Sequence, residues 1–347
     1  MTSSTVGSPL VVVTGAGGYI GTVLVHQLLT RGYRVRALDT FFWGKSVLDE
    51  IESTIDVVKA DIRAVEPEHF DGALAVVHLA GLSNDPMANF RPDANWDINA
   101  VATERVLGAA IAAGVERFTF GSSASLYDGL GSDELHAEDA AIRPIGPYAE
   151  SKHRAEQIIL ASAGKICVTL LRQGTVYGHS PRMRFDLVVN TFVRAGLTNG
   201  EFTLHGSGNM WRPLVDVTDV ALAHIAAIEG PMDRVSGHVF NVLHNNYRIA
   251  EVATLVQQGF ARTGRRIEVR SVPAPPNVRD YRCDSTKIQE ALQFQPSVSI
   301  DKAVEHMLKQ LSDIPPGDLT HPKYSNIEWM TILDDVAQQL SDSGNIF

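Results

Sequence analysis

The 347-residue sequence predicts an α/β fold, with a doubly wound parallel sheet and a smaller mixed α/β domain for substrate. Three observations carry this. Apolar runs alternate with helical spacing from Pro9 to about Arg172. A glycine-rich turn, Thr14-Gly15-Ala16-Gly17-Gly18-Tyr19-Ile20-Gly21, separates the first run from the first helix. After residue 173 the regular alternation weakens and loops interrupt it.

Taken in order, Leu10-Val11-Val12-Val13 reads as a buried strand, and Ile20 to Arg31 has helical spacing. Further strands are expected at Arg34 to Leu38, Ile55 to Lys59, Ala73 to Leu79, Arg117 to Phe120 and Cys167 to Leu171. Helices are expected from about Trp96 to Ala113 and from Tyr148 to about Ser162. Strands apolar throughout, alternating with helices, mean a parallel sheet covered on both faces. Helical patterns return at 186–195, 217–229, 249–262 and 301–312. We therefore expect a nucleotide-binding domain over 1–178, a mainly substrate-binding domain over 179–314 that crosses back to the sheet, and an extension over 315–347. In that extension Ile327, Met330, Leu333, Val336 and Leu340 form an amphipathic stretch, suited to packing on the body or on another subunit.

Bulk properties narrow the function. Hydrophobic residues make up 44% and charged residues 20%, as in a soluble globular protein. A net charge of −10 argues against nucleic-acid binding, which needs a basic footprint. No run suits a membrane span, and the first ten residues lack a leader's basic and apolar regions. Cys167 and Cys283 lie far apart in no metal-like spacing, so two free thiols, a cytoplasmic setting and no metal are expected.

The glycine turn carries the first chemistry. Gly15, Gly18 and Gly21 permit a tight turn, close approach of backbone to a pyrophosphate and close helix–sheet packing. A helix N-terminus there offers free N–H groups to an anion. This points to a Rossmann-type dinucleotide site in which Tyr19 and Ile20 also lie against the ligand. Asp39 ends the second strand, 18 residues after Gly21. Its carboxylate would accept from ribose hydroxyls and repel a 2′-phosphate, which favours NAD over NADP. Asp61, with Ile62, either meets the adenine or caps its own loop.

Tyr148-Ala149-Glu150-Ser151-Lys152 places Tyr148 and Lys152 four apart, on one helix face. A tyrosine of pKa about 10 is a poor base. A nearby ammonium and a nicotinamide cation favour its phenolate, making a proton-transfer device. Ser122 and Ser123 follow the strand that ends near Phe120.

These features, with His78-Leu79-Ala80-Gly81, Asn99, Ser122 to Tyr127, Leu171-Arg172 through Tyr177-Gly178, and Arg212 to Asp219, are shared with a known family. From about residue 9 to 312 the chain resembles the extended short-chain dehydrogenase/reductases, in the NAD-dependent epimerase/dehydratase group that acts on nucleotide sugars. The resemblance implies that Tyr148 is the acid/base, that Lys152 lowers its pKa and binds the nicotinamide ribose, and that Ser123 hydrogen-bonds the reacting sugar oxygen. It implies that Leu79, Ala80, Gly81, Asn99 and Ser122 attend the cofactor. It also implies a homodimer, built by a four-helix bundle of the 96–113 and 148–162 helices.

On the substrate side, Ser83, Thr175, Arg184, Arg279 and Arg282 are candidates, with Arg182 beside them. Arginine's fork of donors suits a diphosphate. The resemblance implies that Arg212 and Asn190 contact it. Three departures bear on the sugar: the Gly81 to Pro86 lining, Gln173-Gly174-Thr175 in place of an Arg-x-x-Asn pattern, and Asp216 where many relatives carry histidine.

The family's dehydratases and decarboxylases carry an acidic residue just after the catalytic hydroxyl. Here Ala124 and Ser125 stand there. A C4 epimerase needs only Ser123, Tyr148 and Lys152, and a keto-sugar reductase needs the same three. Asp39 tilts the reading to the epimerase, because biosynthetic reductases more often draw on NADPH. A non-catalytic sensor would be expected to lack the Tyr/Lys pair.

Overall fold

The computed structural model describes residues 7–274 and 278–343. The two ends of the chain, 1–6 and 344–347, which fall in the first domain and the extension as delimited above, lie outside the described residues. The strands are β1 (Leu10–Thr14), β2 (Arg34–Asp39), β3 (Asp56–Lys59), β4 (Ala73–His78), β5 (Arg117–Ser123), β6 (Leu135–His136), β7 (Cys167–Gln173), β8 (Thr175–Tyr177), β9 (Glu201–His205), β10 (Trp211–Asp216), β11 (His238–Val242), β12 (Asn245–Arg248), β13 (Glu268–Val272) and β14 (Arg282–Cys283). The helices are α1 (Tyr19–Thr30), α2 (Asp85–Phe90), α3 (Pro92–Trp96), α4 (Ala102–Ala112), α5 (Gly146–Leu160), α6 (Val188–Asn199), α7 (Val217–Glu229), α8 (Met232–Val235), α9 (Ile249–Arg262), α10 (Thr286–Leu292), α11 (Ile300–Leu311), α12 (Pro316–Leu319) and α13 (Asn326–Ser343).

Seven strands form one sheet in the order β11-β7-β5-β4-β1-β2-β3. All its neighbouring pairs are parallel. Every residue of β1 and of β7 is buried, which is why these strands read as unbroken apolar runs. Side chains alternate between the two faces. Val11 and Val13 join the core beneath α1 and α7, with Leu24, Leu28 and Ile225. Val12 joins the opposite core, with Val106, Leu107 and Ile159 of α4 and α5. The chain leaves β1 for β2 on one side and returns through β4 on the other. Clefts in such sheets open at this reversal, beyond the strands' C-terminal ends.

The smaller body has its own core, in which Phe192, Phe202, Val256, Phe260 and Met307 join α6, α9 and α11 to β9. The chain does return to the large sheet after residue 178: β11 pairs with β7, and α7 packs on the α1 face. Among the described residues no helix is long and apolar enough to cross a membrane.

Two elements differ from expectation. The helix expected from Trp96 is broken by a π turn over Asp97–Val101, which carries Asn99. Such turns gather at functional sites because they redirect one side chain from the helical row. Strand β5 runs on to Ser123, since Gly121, Ser122 and Ser123 stay paired with Leu171, Arg172 and Gln173 of β7. The polar serines hid this, because strand recognition rested on apolar content.

Candidate active site

Gly15 has φ +75°, and a methyl group there would lie 2.6 Å from the Ala80 nitrogen. A methyl at Gly21 would lie 2.1 Å from the Gly15 carbonyl oxygen. Both positions therefore exclude any side chain, and the backbone is left bare at the end of β1. Gly18 precedes α1 with no side-chain cap, and the first turn of α1 holds no acidic residue. The N–H groups there remain free for an anion.

This loop forms one wall of a cleft of about 420 Å³. Gly15, Gly18, Tyr19, Ile20, Gly21, Asp39, Asp61, Ile62, Leu79, Ala80 and Gly81 all line it, together with Ser83 and Arg184 from the expected substrate set. The Asp39 carboxylate accepts from the Gly17 N–H at 2.9 Å and the Phe41 N–H at 2.8 Å. Burial raises its pKa, and these backbone donors work against the rise. Asp61 caps a short turn by accepting from the Arg63 N–H at 2.9 Å, and the Arg63 guanidinium holds its pKa down. The bare glycine cradle, the uncapped helix and the carboxylate at the end of β2 together fit a dinucleotide.

Past Gly81 the cleft leads to the Tyr/Lys helix. A methyl at Gly81 would come within 3.8 Å of Lys152 Nζ. Lys152 donates to the Gly121 carbonyl at 2.9 Å and lies over the Phe120 ring at 4.6 Å. Burial brings its pKa down to about 8, against the pull of Glu156 one turn on. Tyr148 is half-buried in the first turn of α5. Burial raises its pKa, while the Ser123 hydroxyl and the charge of Arg279 oppose the rise. Ser123 Oγ accepts from the Ser125 N–H at 3.1 Å, which leaves its own proton to donate.

Several expected residues turn elsewhere. Asn99 is buried, not on the cleft surface: its amide accepts from the Leu82 N–H at 2.8 Å and donates to the Leu82 carbonyl at 3.0 Å. It positions the loop after β4, directly behind the cleft-lining Gly81. Ser122 is also buried, and donates to Glu156 at 2.6 Å. Asn190 is fully buried, accepting from the Gly178 N–H and donating to the Tyr19 hydroxyl and the Arg184 carbonyl. No side-chain donor is left for a diphosphate. Arg282 donates to the carbonyls of Ser132 and Asp133 at 2.8 and 2.9 Å, so it braces a loop. Thr175 sits on β8, its backbone paired with Leu214 of β10. Sequence reveals residue type but not the direction of a side chain, and that separates these residues from the lining.

Arg212 and Arg279 remain on the substrate side. Arg279 pairs with Asp85, and with Asp128 at 3.6 Å. Arg212 is half-buried over Tyr281 and, among the described residues, donates only to its neighbour's carbonyl, Trp211, at 2.8 Å. Burial lowers its pKa, while the charges of Asp128 and Asp280 only partly oppose this. Arg184 forms a two-pronged pair with Asp186 at 3.0 and 2.9 Å and donates to Ser83 Oγ at 3.1 Å. It thereby ties the loop after β4 to the smaller body.

Sequence reasoning missed much of one wall. Phe42, Trp43, Met87, Asn326 and Met330 line the cleft, and Arg182, a candidate anion ligand on the substrate side, lies in it too. Asn326 and Met330 belong to α13, whose amphipathic spacing was the only sign available.

A sequence model described as "NAD dependent epimerase/dehydratase family" matches residues 11–242. UDP-glucuronic acid decarboxylase 2 of Arabidopsis thaliana is 30% identical, over 89% of this chain and 69% of that protein. UDP-glucose 4-epimerase of Lactobacillus helveticus is 29% identical, over 88% of this chain and 98% of that protein. The structure of MoeE5 in complex with UDP-glucose and NAD superposes with a TM-score of 0.76 at 28% identity, covering 88% of this chain and all of that one. The chain therefore belongs to the NAD dependent epimerase/dehydratase family, and is an NAD-dependent enzyme.

Proposed function

We propose that the enzyme is a nucleotide-sugar epimerase acting at C4. The supporting observation is the group Ser123, Tyr148 and Lys152 at the inner end of the dinucleotide cleft, with no carboxylate directly after Ser123. Ala124 and Ser125 are both buried. The acidic groups nearby, Asp85 and Asp128, are engaged by Arg279.

Bound NAD supplies a reversible hydride acceptor and the positive charge of its nicotinamide ring. Tyr148 takes the proton of the sugar C4 hydroxyl and later returns it. Lys152 favours the phenolate and holds the nicotinamide ribose. Ser123 donates to the same sugar oxygen as charge develops on it. Arg212 binds the substrate's diphosphate, with Arg279 beside it. Asp39 and Asp61 attend the adenosine end, with Leu79 to Gly81 along the cofactor. By this reading 1–178 serves the cofactor and 179–314 mainly the substrate.

Decarboxylation of a nucleotide-linked uronate is the second reading, favoured by the names of several relatives. The purified protein should release NAD when denatured, and should convert UDP-glucose or UDP-glucuronic acid to its C4 epimer by NMR. A pentose product with evolved CO₂ would favour the second reading. A NAD-free protein that consumes NADPH with a keto sugar would contradict both and indicate a reductase.

A homodimer belongs to the same proposal. Trp96 and Val101 are 45% and 51% exposed beside α4. Apolar groups so placed suit burial against a second copy's α4 and α5. Light scattering at micromolar concentration should give twice the chain mass, and the mass of one chain would refute the dimer.

A further inference from the structure

Arg182 is buried, 5% exposed, and lines the dinucleotide cleft. Its guanidinium lies over the Trp43 ring at 4.1 Å and donates to Asn326 Oδ1 at 2.6 Å. Its Nε has no partner among the described residues. No carboxylate among them forms an ion pair with it, although its neighbour Arg184 has Asp186. A buried cation without a counter-charge costs several kcal/mol. Burial and the charge of Arg184 lower its pKa. Asp39 faces it, but that carboxylate already accepts from two backbone N–H groups. Tyr19, the first residue of α1, also faces it. Arg182 thus stands beside the uncapped helix end where a pyrophosphate is expected.

The residue that holds Arg182 comes from the C-terminal segment. Asn326 begins α13 and also donates to Ser83 Oγ at 3.0 Å. One turn on, Trp329 Nε1 donates to the Phe42 carbonyl at 3.1 Å, and Met330 lines the cleft. Further along, Asp334 pairs with Arg91. Helix α13 therefore spans the mouth of the cleft, from the loop after β2 to the loop after β4.

We propose that Arg182 is a phosphate ligand of the dinucleotide, and that α13 fixes it through Asn326 and closes the cleft over the bound cofactor. This rests on the cleft being the dinucleotide site and is independent of the reaction at the sugar. The test uses the full chain freed of NAD, titrated with ADP, adenosine and UDP. Arg182→Gln should weaken ADP about tenfold or more, as loss of a charge-assisted contact does, and adenosine less than about twofold. It should also raise the ligand-free melting temperature, because an uncompensated buried charge is removed. Asn326→Ala and Trp329→Ala should each speed NAD dissociation several-fold.

Equal weakening of adenosine and ADP would overturn the phosphate role. Weakened UDP with unchanged ADP would assign Arg182 to the sugar nucleotide and overturn the proposal. Unchanged NAD release in both α13 variants would overturn the closing role. If the unaltered chain binds no ADP, the cleft itself has been misread and the inference falls with it. If Arg182→Gln does not fold, the α13 variants still decide whether the segment retains the cofactor.

Discussion

Tyr148→Phe is expected to lower kcat by roughly 10² to 10⁴, the usual contribution of a positioned acid/base. NAD content should stay unchanged, because the ring still fills its place in the first turn of α5. The phenol needs help to ionise. Burial pushes its pKa up, and Ser123 and Arg279 only moderate this. In the proposed mechanism the remaining help comes from the Lys152 ammonium, one turn on, and from the positive ring of bound NAD. The lowered pKa of Lys152, about 8, carries a pH consequence. Lys152 is charged below that value and loses its proton as the pH rises through it, so kcat/KM should fall on the alkaline side near pH 8. Stopped assays across pH would check both effects. A Tyr148→Phe enzyme with unchanged turnover would remove the acid/base role.

Glu156→Gln is expected to destabilise the fold by about 3–5 kcal/mol, since it leaves a buried guanidinium without its partner. Arg172 meets both Glu156 oxygens, at 2.9 and 2.8 Å, and its third nitrogen donates to the Tyr127 hydroxyl at 2.7 Å. Tyr127 in turn donates to Asn241 at 2.8 Å, and Ser122 donates to Glu156. The pair side chains are 7% and 2% exposed, so water cannot replace the lost partner. Burial works against the charge of Arg172, but Glu156 and Tyr127 outweigh it and hold its pKa up. This network joins β5, α5, β7 and β11 directly behind Ser123 and Lys152. Denaturant unfolding would measure the loss. Replacing both partners with methionine should recover most of it, because a neutral apolar pair leaves no buried charge. A single variant as stable as the parent would show that the network does not brace the site.

The sheet was legible because central strands such as β1 and β7 are buried on both faces, so runs such as Leu10 to Val13 stand out without alternation. The glycine turn was legible because three missing side chains at fixed spacing meet a geometric need, visible in the contacts a methyl at Gly15 or Gly21 would make. The Tyr148/Lys152 pair was legible from its four-residue spacing. Side-chain direction was not. Ser122 and Ser123 are adjacent on β5 but take different partners on α5: one enters the Glu156 network and the other turns toward Tyr148. Asn190 and Arg282 have the right chemistry for a diphosphate, yet Asn190 donates to the Tyr19 hydroxyl and the Arg184 carbonyl, and Arg282 donates to two loop carbonyls. The wall made by α13 was hidden for another reason. It meets Phe42 and Ser83 across more than 240 positions of sequence, and periodicity reveals an apolar face without its partner.

The most direct test is to supply UDP-glucose and UDP-glucuronic acid, each deuterated at C4, and to follow the label by NMR while monitoring NADH absorbance. The account predicts a C4 epimer that keeps its deuterium at C4, with no net NADH formed. Loss of the carboxyl carbon, transfer of the label to solvent, or steady accumulation of NADH would contradict it.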